Sequence, residues 1–468
     1  MTKSRAIIWG LFLLLFVRLL AMIWVPLTDP TEARYAEIAR KMVETGNWIT
    51  PQFDYGVPFW AKPPLHTWLS AAGIAVFGAT PFAARLGILL ATAALLVILW
   101  RWACTFTDRR TAAAAILVTA SSGLFFVSAA FVQTDMVMAL GVTAGMAGFY
   151  NGLTGDRRWG WLFFLGLAIG LLAKGPVATV LTMTPIVLWM LWRGNWRDLL
   201  NLPWVGGIAL CAVLVIPWYV AAEIATPGFL HYFLIGEHIQ RFLQPGWSGD
   251  LYGAGREQAK GTIWLFWIVA TLPWCPLLPA LIWRLKKNGI PEDKSLYLYL
   301  LLFALTPLLF FTMAANILLA YVLPGIPAAA LLAVLLWSRT GSSGAGWLKL
   351  GVAETVLIFA CIVAGSVLGL DRSFMPTEAR IIAAYSGSGR LAILDTRSFS
   401  AEFYTQGKIT RIETPAELAA WLAPGDGVLV PKNEYEAFAK QFGSTIRPIA
   451  ESRKHLLFIP VPSASVTN

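Results

Sequence analysis

Apolar residues run for stretches of about 20 positions through the first 370 residues, separated by short polar breaks, and then give way to short alternating apolar and polar segments. A hydrocarbon core of ~30 Å takes about 20 helical residues, because in lipid each backbone N–H and C=O must be bonded within its own segment. The pattern predicts eleven crossing helices, over 6–26, 82–100, 111–129, 136–150, 159–173, 177–192, 204–222, 262–283, 295–313, 317–337 and 350–370. The run 65–77 is shorter and closed by Gly78 and Pro81, which suits a re-entrant or interfacial helix; allowing for it, we expect about 11 to 13 transmembrane helices. The first run follows Lys3 and Arg5 as a signal peptide would, yet it is long, keeps Arg18 and lacks a small-x-small site before Pro26, so we read it as a retained span.

From residue 371 the period changes. Strands are expected at 391–394, 409–412, 428–430 and 455–461, and Thr414-Pro415-Ala416-Glu417 forms a capping box that opens a helix running to Leu422 before Pro424-Gly425. Residues 1–370 thus form a membrane domain and 371–468 a small soluble α/β domain, for which we expect a supporting or acceptor-positioning role.

Composition sharpens this division. With 57% hydrophobic and 13% charged residues, against the roughly 25% charge of soluble proteins, a purely soluble enzyme is excluded. The net charge is +10, and residues 371–468 carry 11 Lys+Arg against 10 Asp+Glu, so +9 sits in the membrane part and reflects topology rather than nucleic-acid binding. Short connections hold Arg101, Arg109, Arg110, Arg157, Arg158, Arg193, Arg197, Arg284, Lys286, Lys287, Arg339 and Lys349, as cytoplasmic loops should. The long loops 27–81 and 223–261, of mixed charge, and the C-terminal domain then lie outside. Cys104, Cys211, Cys275 and Cys361 are widely spaced and show neither a disulfide framework nor a zinc pattern.

Candidate chemistry concentrates in those outer loops. In the stretch 29–44, Tyr35, Ile38, Ala39, Met42 and Val43 share one helical face while Arg34, Glu37, Lys41 and Glu44 share another, predicting an amphipathic helix at the membrane surface. Asp29 as N-cap, Pro30 and Glu32 would make a capping box, which by itself explains both acids; either acid can also serve in catalysis. Lys62, between Trp60 and the pair Pro63-Pro64, either snorkels to the interface or holds an ammonium for a phosphate group. Asp135 either caps the fourth span or faces the bundle interior as a site residue. Lys174, before Gly175-Pro176, is a turn lysine or a phosphate contact. Glu237, His238 and Arg241 follow a Pro-Gly turn, with Glu237 and Arg241 spaced as an ordinary helix ion pair. His66, His231 and His455 are isolated and read as structural.

The run from Thr31 to Leu65 resembles the first outer loop of the polyprenyl-phosphate-dependent glycosyltransferases, of the bacterial aminoarabinose transferase and protein mannosyltransferase type. The likeness continues in Phe82-Ala83-Ala84-Arg85-Leu86, Leu172-Ala173-Lys174-Gly175-Pro176, Pro217-Trp218-Tyr219, Glu237-His238-Ile239-Gln240-Arg241-Phe242 and Tyr321-Val322-Leu323-Pro324. The resemblance implies a GT-C fold and an inverting transfer of a sugar, 4-amino-4-deoxy-L-arabinose or a relative, from undecaprenyl phosphate to lipid A or another envelope acceptor at the periplasmic face of the bacterial inner membrane. It implies catalytic roles for Asp29, Glu32 and Asp135, and substrate or phosphate binding by Arg34, Tyr35, Lys62, Lys174, Glu237, His238, Arg241 and Arg256. The chain departs from the pattern in three places: Thr31 stands where many relatives have Asp, Ala61 where aminoarabinose transferases commonly have Glu, and Asn316 to Ala320 precede Tyr321 where many relatives carry a lysine. No metal ligand or cofactor is assigned, and a divalent metal is disfavoured by Ala61. We expect a monomer. Competing readings are transfer to protein or another glycan, and a lipid-linked glycan flippase, which would place ionisable groups deep within several spans.

Overall fold

The computed structural model describes residues 2–253, 256–288, 293–340, 344–385, 389–443 and 445–461. Eight of its helices are long and apolar enough to cross a membrane, or nine if a bent pair is one span, and the chain is a multi-pass membrane protein. The helices are α1 (Thr2–Trp24), the loop helix α2 (Thr31–Thr45), a hairpin of β1 (Gln52–Asp54) and β2 (Val57–Pro58), α3 (Leu65–Phe77), α4 (Pro81–Ala103), α5 (Arg109–Ser121), α6 (Gly123–Ser128), α7 (Thr134–Thr154), α8 (Trp159–Ala173), α9 (Pro176–Arg193) and α10 (Trp204–Ala225). Four later membrane segments follow, at Thr262–Arg284, Lys294–Thr312, Leu319–Ser338 and Gly346–Val367.

Each of the eleven expected segments is helical, but three are not simple crossings. Residues 111–129 divide into α5 and α6 at Ser122, where the Gly123 N–H bonds the Leu272 carbonyl (2.8 Å) instead of continuing the helix. The segment at 262–283 bends by 98°. Pro273 and Pro276 sit at that bend and supply no N–H to carry the ladder across it. The segment 159–173 is one of the shorter apolar helices, as is α3, whose bounds match the run expected to be re-entrant or interfacial.

The bundle is built around α7, nearly all of which is buried. Its small residues let neighbouring backbones approach: a Cβ on Gly148 would stand 2.3 Å from Phe163 N, and one on Gly141 2.6 Å from Gly170 N. With no apolar drive between helices in lipid, such close van der Waals contact is what holds α7 to α8.

The C-terminal domain is a five-stranded mixed sheet of order β4-β3-β5-β7-β6, with β3 (Leu391–Leu394), β4 (Thr410–Ile412), β5 (Gly427–Pro431), β6 (Ile446–Glu451) and β7 (His455–Pro460). β3 runs parallel to β4 and β5, and the β5–β7 and β6–β7 pairs are antiparallel. The four strands expected from the sequence are present. The fifth, β6, lies at the sheet edge with Pro448 beside a register break, so its alternation is weak. The Thr414 hydroxyl caps the following helix by accepting from the Glu417 N–H (3.2 Å), as expected.

This domain packs on the first outer loop. Phe399 and Phe403 join Leu27, Ala33, Ile38, Met42 and Phe59 in one apolar cluster. Consequently α2 is not an amphipathic helix resting on the membrane. Glu37 and Lys41, expected on its polar face, are buried, and so is their neighbour Arg40. Their charges are met within the protein: Arg40 pairs with Glu37 and Glu44 (both 2.7 Å), and Lys41 with Glu402 of the C-terminal domain (3.0 Å).

Candidate active site

The two acids of the first loop are both engaged in holding it. The Glu32 carboxylate, 1% exposed, accepts two hydrogen bonds of 2.8 Å from the Arg85 guanidinium, a bidentate pair. Arg85 also donates to the carbonyls of Met22 (3.2 Å), Val25 (2.6 Å) and Pro26 (3.2 Å), so one side chain ties the end of α1 and the start of α2 to α4. Asp29 is not the N-cap of α2. That position is Pro30, and the Asp29 carboxylate instead accepts from the Ser398 hydroxyl (2.9 Å), the Ser400 N–H (3.1 Å) and the Ser400 hydroxyl. Burial pushes its pKa up, against those hydrogen bonds. Neither acid touches the cations described next.

The outer loops bring a second group of residues together. Lys62 donates to Glu237 (2.6 Å), and Arg241 reaches both Glu237 (3.1 Å) and Asp250 (3.0 Å). The segment Tyr232–Gln240 is a π-helix, a form that recurs at functional sites, and it carries Glu237 and His238. Burial works to raise the Glu237 carboxyl, but the charges of Lys62 and Arg241 outweigh it and hold the group below the ordinary glutamate range. Burial pushes the His238 pKa down, against the pull of its contacts, since its ring nitrogens face the carbonyls of Phe233 (2.7 Å) and Lys174 (3.2 Å).

Through that carbonyl the loop meets the membrane bundle. The Lys174 ammonium is buried against Asp135 and lies 4.4 Å from the centre of the Tyr321 ring. Asp135 therefore does not cap α7, whose N-cap is Gln133. Arg34 stands over the Tyr35 and Phe59 rings and donates once, to the Tyr252 carbonyl (2.8 Å). Its Nε is buried without a partner, and among the described residues it has no carboxylate within ion-pair distance.

Sequence reading missed Tyr232, Asp250, Tyr252 and Asn316. Tyr252 joins the loops, its hydroxyl donating to Pro58 O (2.8 Å) and accepting from Trp60 N (3.0 Å), and its pKa is pushed up to about 12 by burial. Asn316 donates to the carbonyls of Arg241 (2.7 Å) and Gln244 (2.8 Å). These are two tyrosines, an aspartate and an asparagine outside any recognisable motif, and only the folded chain shows what they bridge. Arg256 is exposed, and its carbonyl accepts from Ile317 N (3.2 Å). Tyr35 is buried with its ring edge against His66 (4.8 Å). Among the described residues no group of three His, Cys, Asp or Glu side chains stands close enough to hold a metal ion.

Lys62, Lys174 and Arg241 thus face three carboxylates, Asp135, Glu237 and Asp250, while Arg34 is held by a carbonyl and two aromatic rings. The arrangement can exchange a carboxylate for a phosphate oxygen at fixed cations, and it leaves Arg34 with donors to spare.

Comparison with known proteins follows this geometry. Superposition on the crystal structure of ArnT from Cupriavidus metallidurans bound to undecaprenyl phosphate gives a TM-score of 0.75 at 20% identity, over 97% of this chain and 98% of that one. The chain has the GT-C fold. The archaeal oligosaccharyltransferase AglB from Archaeoglobus fulgidus superposes with a TM-score of 0.51 at 12% identity, over 92% and 71% of the two chains. Residues 6–233 match the family model for dolichyl-phosphate-mannose-protein mannosyltransferase. Among curated relatives, an undecaprenyl phosphate-alpha-4-amino-4-deoxy-L-arabinose arabinosyl transferase of Aeromonas hydrophila is 35% identical over 335 residues, 68% of this chain and 57% of its own. The enzyme of that name from Pseudomonas aeruginosa strain UCBPP-PA14 is 32% identical over 385 residues, 76% and 65% of the two chains. The chain spans less than two thirds of the length of these relatives. The resemblance read from the loop motifs is borne out in fold and in sequence.

Proposed function

We propose that this GT-C protein transfers 4-amino-4-deoxy-L-arabinose, or a closely related sugar, from undecaprenyl phosphate to lipid A at the periplasmic face of the bacterial inner membrane. The single observation that carries the reading is the set of four cations drawn from loops 27–81 and 223–261 and from the C-cap of α8, one of them, Arg34, without a carboxylate partner among the described residues. In this reading an acceptor oxygen attacks the anomeric carbon from the face opposite the phosphate. The carbon–oxygen bond to the lipid phosphate breaks, and undecaprenyl phosphate leaves with the electron pair. Lys62, Arg241 and Arg34 hold the charge that develops on that phosphate, where a preorganised donor is worth most. Asp135 orients Lys174, which serves the same anion or an acceptor phosphate. An ionised phosphate acceptor needs no base, so Asp29 and Glu32 act by holding the loop, and the 371–468 domain serves to position it.

Mass spectrometry of lipid A from cells with and without the protein, and with Arg34→Ala and Lys62→Ala variants, tests this. An aminopentose mass added only by the unaltered protein supports it, whereas unchanged lipid A overturns the acceptor. The match to a protein mannosyltransferase family favours one second reading, a protein acceptor. A sugar lost from an envelope protein in the same comparison would select it.

A further inference from the structure

A second feature lies at the opposite, basic end of the bundle. A cavity of about 910 Å³ opens there among α1, α5 and the last two membrane helices, its walls including Trp9, Leu13, Leu117, Trp347 and Val352. Arg110, in the first turn of α5, and Lys349, in the first turns of Ala345–Val367, also line it. Neither takes part in an ion pair among the described residues. The one acid in the lining among the described residues, Asp108, is bound to its own helix, accepting from Arg110 N (2.9 Å), Thr111 N (3.1 Å) and the Thr111 hydroxyl (2.6 Å). The connections at this end carry the excess of Lys and Arg, which marks it as cytoplasmic.

We propose that this cavity binds one acidic glycerophospholipid of the cytoplasmic leaflet, its phosphate between Arg110 and Lys349 and its acyl chains along the apolar wall. The charge of the mouth selects the occupant. An apolar cleft alone would take any lipid, but basic pockets between transmembrane helices on this side favour anionic head groups, and two cations there are worth roughly a 30-fold preference over a zwitterionic lipid. The aromatic rings of Trp9 and Trp347 suit the interfacial depth at which glycerol and ester groups lie.

Native mass spectrometry of the full chain, titrated with phosphatidylglycerol or phosphatidylcholine, tests the assignment. The expected result is one retained phosphatidylglycerol, favoured roughly 30-fold, with the preference falling to near parity in an Arg110→Gln, Lys349→Gln double variant. A second variant, Ala353→Trp, places an indole in the cavity from an exposed lining position and should weaken retention of both lipids without altering the melting temperature. Equal retention of the two lipids, a preference unchanged in the double variant, or retention undiminished by Ala353→Trp overturns the proposal. So does a dimer whose formation is unaffected by lipid and lost in Ala353→Trp, since a second copy of the chain would then fill the cleft.

Discussion

Replacing Glu32 by Gln separates a loop anchor from a catalytic acid. In the folded chain both Glu32 and Arg85 are buried, with side chains 1% and 4% exposed, and they share two hydrogen bonds of 2.8 Å. Removing one charge leaves the other uncompensated in a dry site, a loss of about 3–5 kcal/mol, while removing both returns much of it because neither ion is then desolvated alone. The expected order of stability is therefore unaltered protein, then Glu32→Gln with Arg85→Met together, then each single variant. The singles should melt roughly 3–5 °C below the parent. A double-mutant cycle of melting temperatures in lipid nanodiscs, with transferase activity measured on each variant, reads this directly. If Glu32→Gln abolished turnover yet melted like the parent and showed no coupling to Arg85, Glu32 would be a catalytic acid and the anchoring argument would be wrong.

Three further outcomes are expected. Arg34→Ala should raise KM for the polyprenyl-phosphate donor about tenfold or more with little change in melting temperature, since among the described residues its guanidinium donates to one carbonyl alone; an unchanged KM removes Arg34 from the phosphate site. The Glu237 carboxyl is depressed on folding, so its contribution to stability is present above the unfolded glutamate value of about 4.3 and is lost as pH falls through the lower folded value. The stability gap between the parent and Glu237→Gln should accordingly close below about pH 4, and a gap independent of pH from 7 to 3 would contradict the Lys62 and Arg241 pairing. Finally, Ser398→Ala with Ser400→Ala should mimic Asp29→Asn, each increasing protease sensitivity of the 371–468 domain, because all three break the same contact; a loss of activity in Asp29→Asn alone would show a role beyond docking.

Much of the architecture was legible because each membrane run had to satisfy its own backbone, which ties apolar length to a helix. The breaks at Ser122 and near Pro273 were harder, since proline and serine occur inside other spans here, including Pro217 and Pro307, without dividing them. In the site, Lys62, Glu237 and Arg241 form one ion-paired group, and His238 joins it to Lys174. What no local pattern could convey is partnership. Asp29 and Glu32 look alike on the page, yet one reaches 371 residues along the chain to Ser400 and the other 53 residues to Arg85. The amphipathic face of α2 was read as facing water because a helix period reports polarity and not what covers it. A neighbouring domain with its own charges meets the same requirement as solvent.

The Lys41–Glu402 pair spans 361 positions of chain. At synthesis rates of about 5–20 residues per second, the loop helix is made about 20–70 s before its partner exists. During that interval Glu37, Arg40 and Lys41 have only water and the groups of their own loop, Glu44, Asp54 and Tyr55 among them. The first loop must therefore remain open, solvated and accessible to chaperones and proteases until the last stretch has been delivered to the same side of the membrane. Chains halted before residue 402 would carry most of their spans and an unfinished loop, so the packing of the first loop waits on the last part of the chain.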